Sequence, residues 1–301
     1  MSSLDLLQSE QLSEDRFLFT LGEQRLVAAL HRPEGPCSSP EGPKAGMILL
    51  HGWAGYRGGP HQMFIKLGRA AAQAGLCCLR FDFRGRGDSE GDPQAASLST
   101  MIADTCQAAE ALAEHCGPLP LALVGDCSGS EVAIGAGALI PAVQRLVLWS
   151  APPVAADREE MHRAKRSSML SAYLRKALRP ETWRRLLRGE VRLDRVSQTL
   201  RSGGLGAGEL GQASDHEIDW LGRFLGFPGR MLFLYGGNDP TTPACLQHYR
   251  ELTDRAGRPF ETHLVAGANH AFYSLAWEQE VIDTTLEWLG EWRDQLPAGE
   301  G

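Results

Sequence analysis

The chain lacks several features that would assign it at once to a class of protein. No apolar stretch approaches the roughly 18 residues that a membrane-spanning helix needs, so no segment is expected to cross a membrane. The first ten residues have neither a basic leader nor a continuous apolar core, so no signal peptide is expected. No CxxC or HExxH pattern occurs, and we therefore predict no bound metal and no cofactor.

A net positive charge and a paired spacing of cysteines are also lacking. The net charge is -7, which argues against nonspecific nucleic-acid binding by the chain as a whole. The seven cysteines form an odd set without paired spacing, which is typical of a reduced compartment and favours a cytoplasmic location. At 301 residues with 43% hydrophobic and 22% charged residues, the chain is expected to form one large globular domain with an insertion.

The order of hydrophobic patterns predicts the fold class. Beyond an edge hairpin at 16–31, short apolar strands alternate with amphipathic helices, which indicates an α/β fold with a doubly wound, mostly parallel sheet. The helices include one predicted over about 61–74 and one predicted from Ser128 to Ile140. Residues 1–150 are predicted to form the first part of this core and residues 229–301 the second part. Between them, residues 151–228 do not continue the alternation, and apolar residues at helical spacing over 159–178 predict a helical cap insertion.

The segment 125–129 carries the strongest chemical signal. It reads Gly-Asp-Cys-Ser-Gly and directly follows the apolar run 119–124. A strand that turns sharply into a helix, with small residues two positions before and after a nucleophile, resembles the nucleophile elbow of α/β-hydrolases. Gly125 and Gly129 bracket Cys127, which we predict to be the nucleophile. A frame shifted by one residue would make Ser128 the nucleophile instead, and an inert buried thiol is the third interpretation.

Two polar segments farther along the chain complete a predicted triad. Asp239 lies just past the apolar run 230–235, and His270 follows the next strand, so the chain order is nucleophile, acid, base. The carboxyl ends of parallel strands meet at one edge of a sheet, which would bring these residues together. Asp157, after the preceding strand, is the alternative acid.

Each residue type suits acyl transfer. A thiol has an ordinary pKa near 8.5, and both a helix start and an imidazolium favour the attacking thiolate. His270 would take and later deliver the proton, while Asp239 would orient the imidazole ring. The backbone N–H groups of Trp53, after His-Gly, and of Ser128 are predicted to form the oxyanion hole. Tyr56 is a candidate for the substrate pocket, with simple packing as the alternative.

These patterns resemble the α/β-hydrolase family over nearly the whole chain. The glycine-rich segment 82–91 fits the family and is interpreted as a structural loop, because its spacing is not that of a dinucleotide-binding loop. The cysteine elbow resembles that of dienelactone hydrolases. The wider pattern, including the arginine-rich cap, is similar to that of hydrolases associated with exosortase systems of exopolysaccharide-producing bacteria. The chain differs from that group in having His51-Gly52 and Gly129, where it is closer to general esterases. The resemblance implies hydrolysis of a carboxylic ester or thioester through an acyl-cysteine intermediate.

The cap also bears on the substrate. Residues 158–195 contain twelve Arg or Lys against five Asp or Glu in a chain that is acidic overall. This bias favours a small-molecule acyl ester or thioester that carries negative charge, although arginines on solvated helix faces would give the same count. Two other functions stay open at this point: an acyltransferase that uses the same triad, and a non-catalytic ligand-binding protein.

Overall fold

The computed structural model describes residues 13–33, 42–154, 218–257 and 261–297. These ranges contain eight strands: β1 (Ser13–Leu21), β2 (Gln24–Arg32), β3 (Ala45–Leu50), β4 (Leu76–Phe81), β5 (Leu121–Asp126), β6 (Val143–Trp149), β7 (Arg230–Gly236) and β8 (Glu261–Val265). Six α-helices lie in the same ranges: α1 (Met63–Gln73), α2 (Leu98–Cys116), α3 (Ser128–Gly137), α4 (Trp220–Gly226), α5 (Thr242–Ala256) and α6 (Leu275–Asp294).

All eight strands belong to one sheet in the order β1-β2-β4-β3-β5-β6-β7-β8. The β1–β2 hairpin is antiparallel, β2 runs antiparallel to β4, and every other neighbouring pair is parallel. The predicted α/β class with a mostly parallel sheet is therefore confirmed. In the centre, every residue of β3 and β4 is buried, as expected for strands that are covered on both faces.

Helices cover both faces of the sheet and enclose two apolar cores. Helices α1 and α6 close one core, in which Phe64 and Ile282 pack with Trp149 of β6. Helices α2 to α5 close the other core, where Val132 and Phe224 are buried. The sheet thus lies between two helical layers, as predicted for a doubly wound fold.

Several element boundaries differ from those expected. The helix predicted at about 61–74 begins only at Met63, because His61 and Gln62 have left-handed φ angles of 49° and 62° in a preceding 3-10 turn. The helix predicted to run from Ser128 to residue 140 ends at Gly137. Local periodicity does not report such irregular turns, since they depend on contacts with neighbouring loops.

The predicted cap lies largely outside the described residues. The basic segment 158–195 belongs to that part, and so does Asp157, the alternative acid. The described end of the 151–228 range forms α4, which packs on α3: Trp220 is 7% exposed, and Arg223 Nη1 donates to the Gly135 carbonyl at 3.0 Å. The domain boundaries stay a prediction.

Candidate active site

Cys127 occupies a sharp turn between β5 and α3. Its φ is 53° and its ψ is -120°, outside the regions that residues with a side chain ordinarily adopt. Such backbone strain persists only where surrounding structure enforces it, and it concentrates at functional sites. The strained residue of the turn is thus Cys127, at the amino end of α3.

The glycines on either side explain why the turn tolerates no bulk. A Cβ on Gly125 would overlap the Gly129 carbonyl, and a Cβ on Gly129 would overlap the carbonyl of Leu50 in β3. Ser130 sits instead in a fully buried position, where its hydroxyl donates to the Gly125 carbonyl at 2.9 Å. The crowded positions therefore bracket Cys127 rather than Ser128.

The predicted acid and base lie against each other at the carboxyl end of the sheet. His270 Nδ1 lies 2.7 Å from Asp239 Oδ2. The other oxygen of Asp239 accepts from the Thr241 amide and hydroxyl at 3.0 and 2.9 Å, and the carboxyl group is almost fully buried. The His270 side chain is 43% exposed, and its carbonyl accepts from the Ser150 hydroxyl at 2.8 Å. The imidazole is thus oriented from one side and accessible from the other.

The electrostatics of this pair favour a protonated imidazole beside an ionised carboxylate. Burial by itself lowers the pKa of His270, but hydrogen bonds to Asp239 and to Cys127 outweigh burial and raise it to about 10. Burial raises the pKa of Asp239, whereas hydrogen bonds from His270 and Thr241 more than offset that effect and hold it below its usual value. Because Nδ1 faces Asp239, Nε2 is the nitrogen that remains for Cys127.

The loop after β3 presents a single peptide unit to the elbow. His51 Nδ1 donates to the Gly52 carbonyl at 2.8 Å, and its Nε2 accepts from the Phe83 amide at 3.4 Å. Burial lowers the pKa of His51 to about 4, so the ring is neutral near pH 7. On the opposite edge of the same trans peptide, the Trp53 N–H donates to Ser128 Oγ at 2.6 Å.

Ser128 therefore contributes more than its amide to this region. Its N–H is the first of α3, where amides lack a partner within the helix. Its hydroxyl already accepts the Trp53 N–H, which had been predicted as an oxyanion donor. Sequence reasoning missed this contact because nothing in the local pattern indicates which rotamer a serine at the start of a helix adopts.

Two further charged residues near the site escaped a functional interpretation in the sequence. Burial raises the pKa of the Asp126 carboxyl to about 6, and the charge of His270 offsets this only in part. The guanidinium carbon of Arg86 lies 5.0 Å from the centre of the Trp53 ring. An acid at the end of an apolar strand is a signal that could have marked Asp126, whereas Arg86 stands in a loop rich in charges.

Tyr56, the candidate for the substrate pocket, lies in the loop after β3. Tyr56 is 46% exposed, and its ring lies over Gly58, where a Cβ would overlap it.

Within the described ranges, no three or more His, Cys, Asp or Glu side chains are grouped to hold a metal ion. No helix in those ranges is long and apolar enough to cross a membrane.

A family model described as the alpha/beta hydrolase family matches residues 47–284, which is more than half of the chain. The chain belongs to the alpha/beta hydrolase family. The match includes the elbow strand and the segments that carry Trp53, Asp239 and His270. The resemblance recognised from the sequence is therefore confirmed.

Curated relatives of this hydrolase include lysophosphatidylserine lipases named ABHD12. The zebrafish (Danio rerio) protein is 37% identical over 87 residues, which are 29% of this chain and 22% of that protein. The Xenopus tropicalis protein is 33% identical over 107 residues, which are 36% of this chain and 25% of that protein. The matched part thus spans a quarter or less of these relatives.

Solved structures share the fold of this hydrolase over almost its whole length. An esterase of Pyrococcus furiosus superposes with a TM-score of 0.63 at 17% identity and covers 97% of this chain and 94% of its own. Dienelactone hydrolase of Anabaena variabilis gives 0.59 at 14% identity and covers 94% and 99%. Est1E of Butyrivibrio proteoclasticus, with ferulic acid bound, gives 0.64 at 14% identity and covers 91% and 98%.

Proposed function

We propose that this α/β-hydrolase cleaves a carboxylic ester or thioester through an acyl intermediate on Cys127. The observation that carries the proposal is the 2.7 Å contact between Asp239 and His270 at the carboxyl end of the sheet, where Cys127 stands on the strained elbow and contributes to the raised pKa of His270. A nucleophile, a base and a group that orients the base are the parts that covalent acyl transfer requires.

In the first half-reaction the Cys127 sulfur attacks the substrate carbonyl carbon and forms a C–S bond. The carbonyl oxygen takes up the negative charge and is stabilised by backbone N–H groups of Ser128 and Trp53. The tetrahedral species then collapses, the bond to the leaving oxygen or sulfur breaks, and His270 Nε2 delivers a proton to that atom. The alcohol or thiol departs and the acyl group remains on Cys127.

In the second half-reaction water releases the acyl group. His270 Nε2 takes a proton from a water molecule as its oxygen attacks the thioester carbonyl. The C–S bond breaks, and the products are a carboxylic acid and the Cys127 thiolate, which pairs again with protonated His270. Asp239 stays ionised throughout and stabilises the imidazolium charge.

The bond class follows from the sulfur nucleophile and from the family. A thiolate is a soft nucleophile and also a good leaving group, so it suits activated acyl groups such as thioesters, lactones and aryl esters better than amides. Structures with the same fold include an esterase and a dienelactone hydrolase. We therefore favour activated esters and thioesters as substrates. The odd set of cysteines without paired spacing favours an intracellular setting.

The test compares wild type with Cys127→Ala and Cys127→Ser on p-nitrophenyl esters and acyl-CoA thioesters. We expect the alanine variant to lose activity by at least about a thousandfold and the serine variant to keep a part of it. Cys106→Ala is the matched control, because Cys106 is another half-buried free cysteine, in α2, and its loss should leave turnover unchanged.

Direct detection of the intermediate completes the test. After an acid quench during turnover, mass spectrometry should find the acyl group on the peptide that contains Cys127. Equal turnover in wild type and Cys127→Ala, or an acyl group on Ser128, would overturn the proposal.

A further inference from the structure

Arg86 differs from the neighbouring arginines in having no acidic partner among the described residues. Arg57 forms an ion pair with the buried Asp82, and Arg84 Nε lies 2.7 Å from Asp104 Oδ1. Arg86, like Arg84, belongs to the loop between β4 and α2. No carboxylate in the described part of the chain pairs with Arg86. Within the described part of the chain its positive charge therefore has no carboxylate partner, whereas Arg57 and Arg84 each have one.

Two adjacent donors in this region lack hydrogen-bond partners. Arg86 Nε and Trp53 Nε1 are both shielded from solvent, and neither has an acceptor among the described residues. Burying an unpaired donor is unfavourable, and stacking of the Arg86 guanidinium on the Trp53 ring offsets this only in part. Both N–H groups thus have no acceptor among the described residues, while each side chain as a whole is partly exposed.

The position of these donors relates them to the proposed chemistry. Trp53 lies in the loop after β3, and its backbone N–H donates to Ser128 Oγ. The positive charge of Arg86 contributes to the lowered pKa of His51, which stands at the start of that loop. The sheet order places β4 on one side of β3 and the Cys127 strand on the other. Asp239 and His270 follow β7 and β8, on the far side of Cys127 from Arg86.

We propose that Arg86 and Trp53 form a subsite for an anionic group, a carboxylate or a phosphate, on the acyl part of the substrate. The inference rests on the proposed hydrolysis at Cys127. A planar guanidinium and an indole N–H present donors suited to a group with two or more charged oxygens. In the proposed orientation the leaving group extends toward β7 and β8, because His270 must protonate the leaving atom, and the acyl group extends toward Arg86.

The test uses p-nitrophenyl esters of one acyl length that end in a methyl, a carboxylate or a phosphate group. Wild type should prefer one or both anionic esters, and the arm that gains identifies which anion the subsite takes. Arg86→Met should lower kcat/KM for the preferred anionic ester by about 10- to 100-fold more than it lowers kcat/KM for the methyl ester. Arg86→Lys should retain an intermediate preference, because it keeps the charge without the planar donors.

Two controls separate the subsite from general charge effects. Arg145 also stacks on a tryptophan, 5.5 Å from the Trp292 ring, but near the amino end of β6, so Arg145→Met should not alter the preference. Esters of 4-hydroxybenzoate with a neutral acyl group carry the anion on the leaving group. The kcat/KM for these esters should gain nothing from Arg86 if the acyl group extends toward Arg86 as inferred above.

The outcomes distinguish this inference from the proposed function. No preference for anionic acyl groups in wild type, or an undiminished preference in Arg86→Met, would overturn the subsite while turnover of the methyl ester persists. If wild type hydrolysed none of these esters, the proposed function would be overturned instead. Binding would then decide the subsite: glutarate or inorganic phosphate should raise the thermal unfolding midpoint of wild type but not of Arg86→Met.

Discussion

At the scale of single residues, one peptide unit of the candidate site is held from both edges. The His51 ring holds the Gly52 carbonyl, and Ser128 Oγ holds the Trp53 N–H. Cys127 could be singled out from the sequence because its glycine neighbours mark a crowded turn. The Ser128 contact could not be predicted, since it depends on how closely the loop after β3 approaches α3.

The Ser128 hydroxyl leads to a first prediction about this peptide. In the proposed mechanism a substrate oxyanion has to displace this hydroxyl, because it occupies the Trp53 N–H. Ser128→Ala removes the competing acceptor, whose net worth is about 1 kcal/mol, so kcat/KM should rise by up to about fivefold. Steady-state kinetics on a p-nitrophenyl ester measure the change.

Ser128→Thr keeps a hydroxyl at the same position and serves as the control. Its kcat/KM should stay near that of wild type. A large loss of kcat in Ser128→Ala with Thr still active would show that the hydroxyl itself donates to the oxyanion, which contradicts the displacement described above.

At the scale of elements, the elbow depends on how closely β5, α3 and β3 pack. The strand and the helix were predictable from apolar periodicity and from the glycines, although their ends moved by up to three residues: the strand predicted at 119–124 is β5, Leu121–Asp126, and α3 stops at Gly137. The reason is that helix and strand ends are set by hydrogen bonds to neighbouring segments, which local periodicity does not contain.

A second prediction concerns the packing of α3 on β3. A Cβ on Gly129 would overlap the Leu50 carbonyl oxygen, and because this is backbone it cannot rotate away. Gly129→Ala should therefore destabilise the protein by about 1–3 kcal/mol or more, through a forced shift of the elbow. Urea unfolding monitored by circular dichroism measures the loss, and activity should fall with it because Cys127 moves.

Gly290→Ala provides the contrast within a helix. Gly290 lies inside α6 with nothing within 4 Å of an added Cβ, so alanine should be neutral or stabilise by about 0.5–1 kcal/mol. If both alanine variants unfolded at the same urea concentration, the close approach at Gly129 would not be what the turn requires.

At the scale of the whole molecule, the sheet brings together residues that are far apart in the chain. Asp239 and His270 follow β7 and β8, while Cys127 follows β5, and all three strands are parallel in the sheet. Their chain order could be predicted from the family pattern. The hydrogen-bond chain that links them, and the charges that it favours, required the folded structure.

A third prediction concerns the pH dependence of global stability. The pKa of His270 is raised to about 10, so the stabilisation that this proton contributes is complete below the ordinary value near 6.5 and is lost as pH rises through 10. Asp239→Asn removes the main partner. The stability difference between wild type and this variant should therefore be larger at pH 6 than at pH 10.5 in urea unfolding.

A surface pair provides the matched control for this measurement. His263 Nε2 lies 2.8 Å from Glu280 Oε1, but both side chains are more than a third exposed, so Glu280→Gln should change stability little at either pH. A difference for Asp239→Asn that does not shrink toward pH 10.5 would contradict the raised pKa of His270.

The sequence alone determined the α/β class, the alternation of strands and helices, and the glycine-bracketed turn at Cys127, because these follow from short-range periodicity and from residues that tolerate or forbid a Cβ. Only the tertiary structure decided that the Trp53 N–H meets the Ser128 hydroxyl and that Arg86 stacks on Trp53. Those contacts join loops that follow different strands. Their geometry depends on strand order and on side-chain rotamers, which neighbouring residues in the chain do not specify.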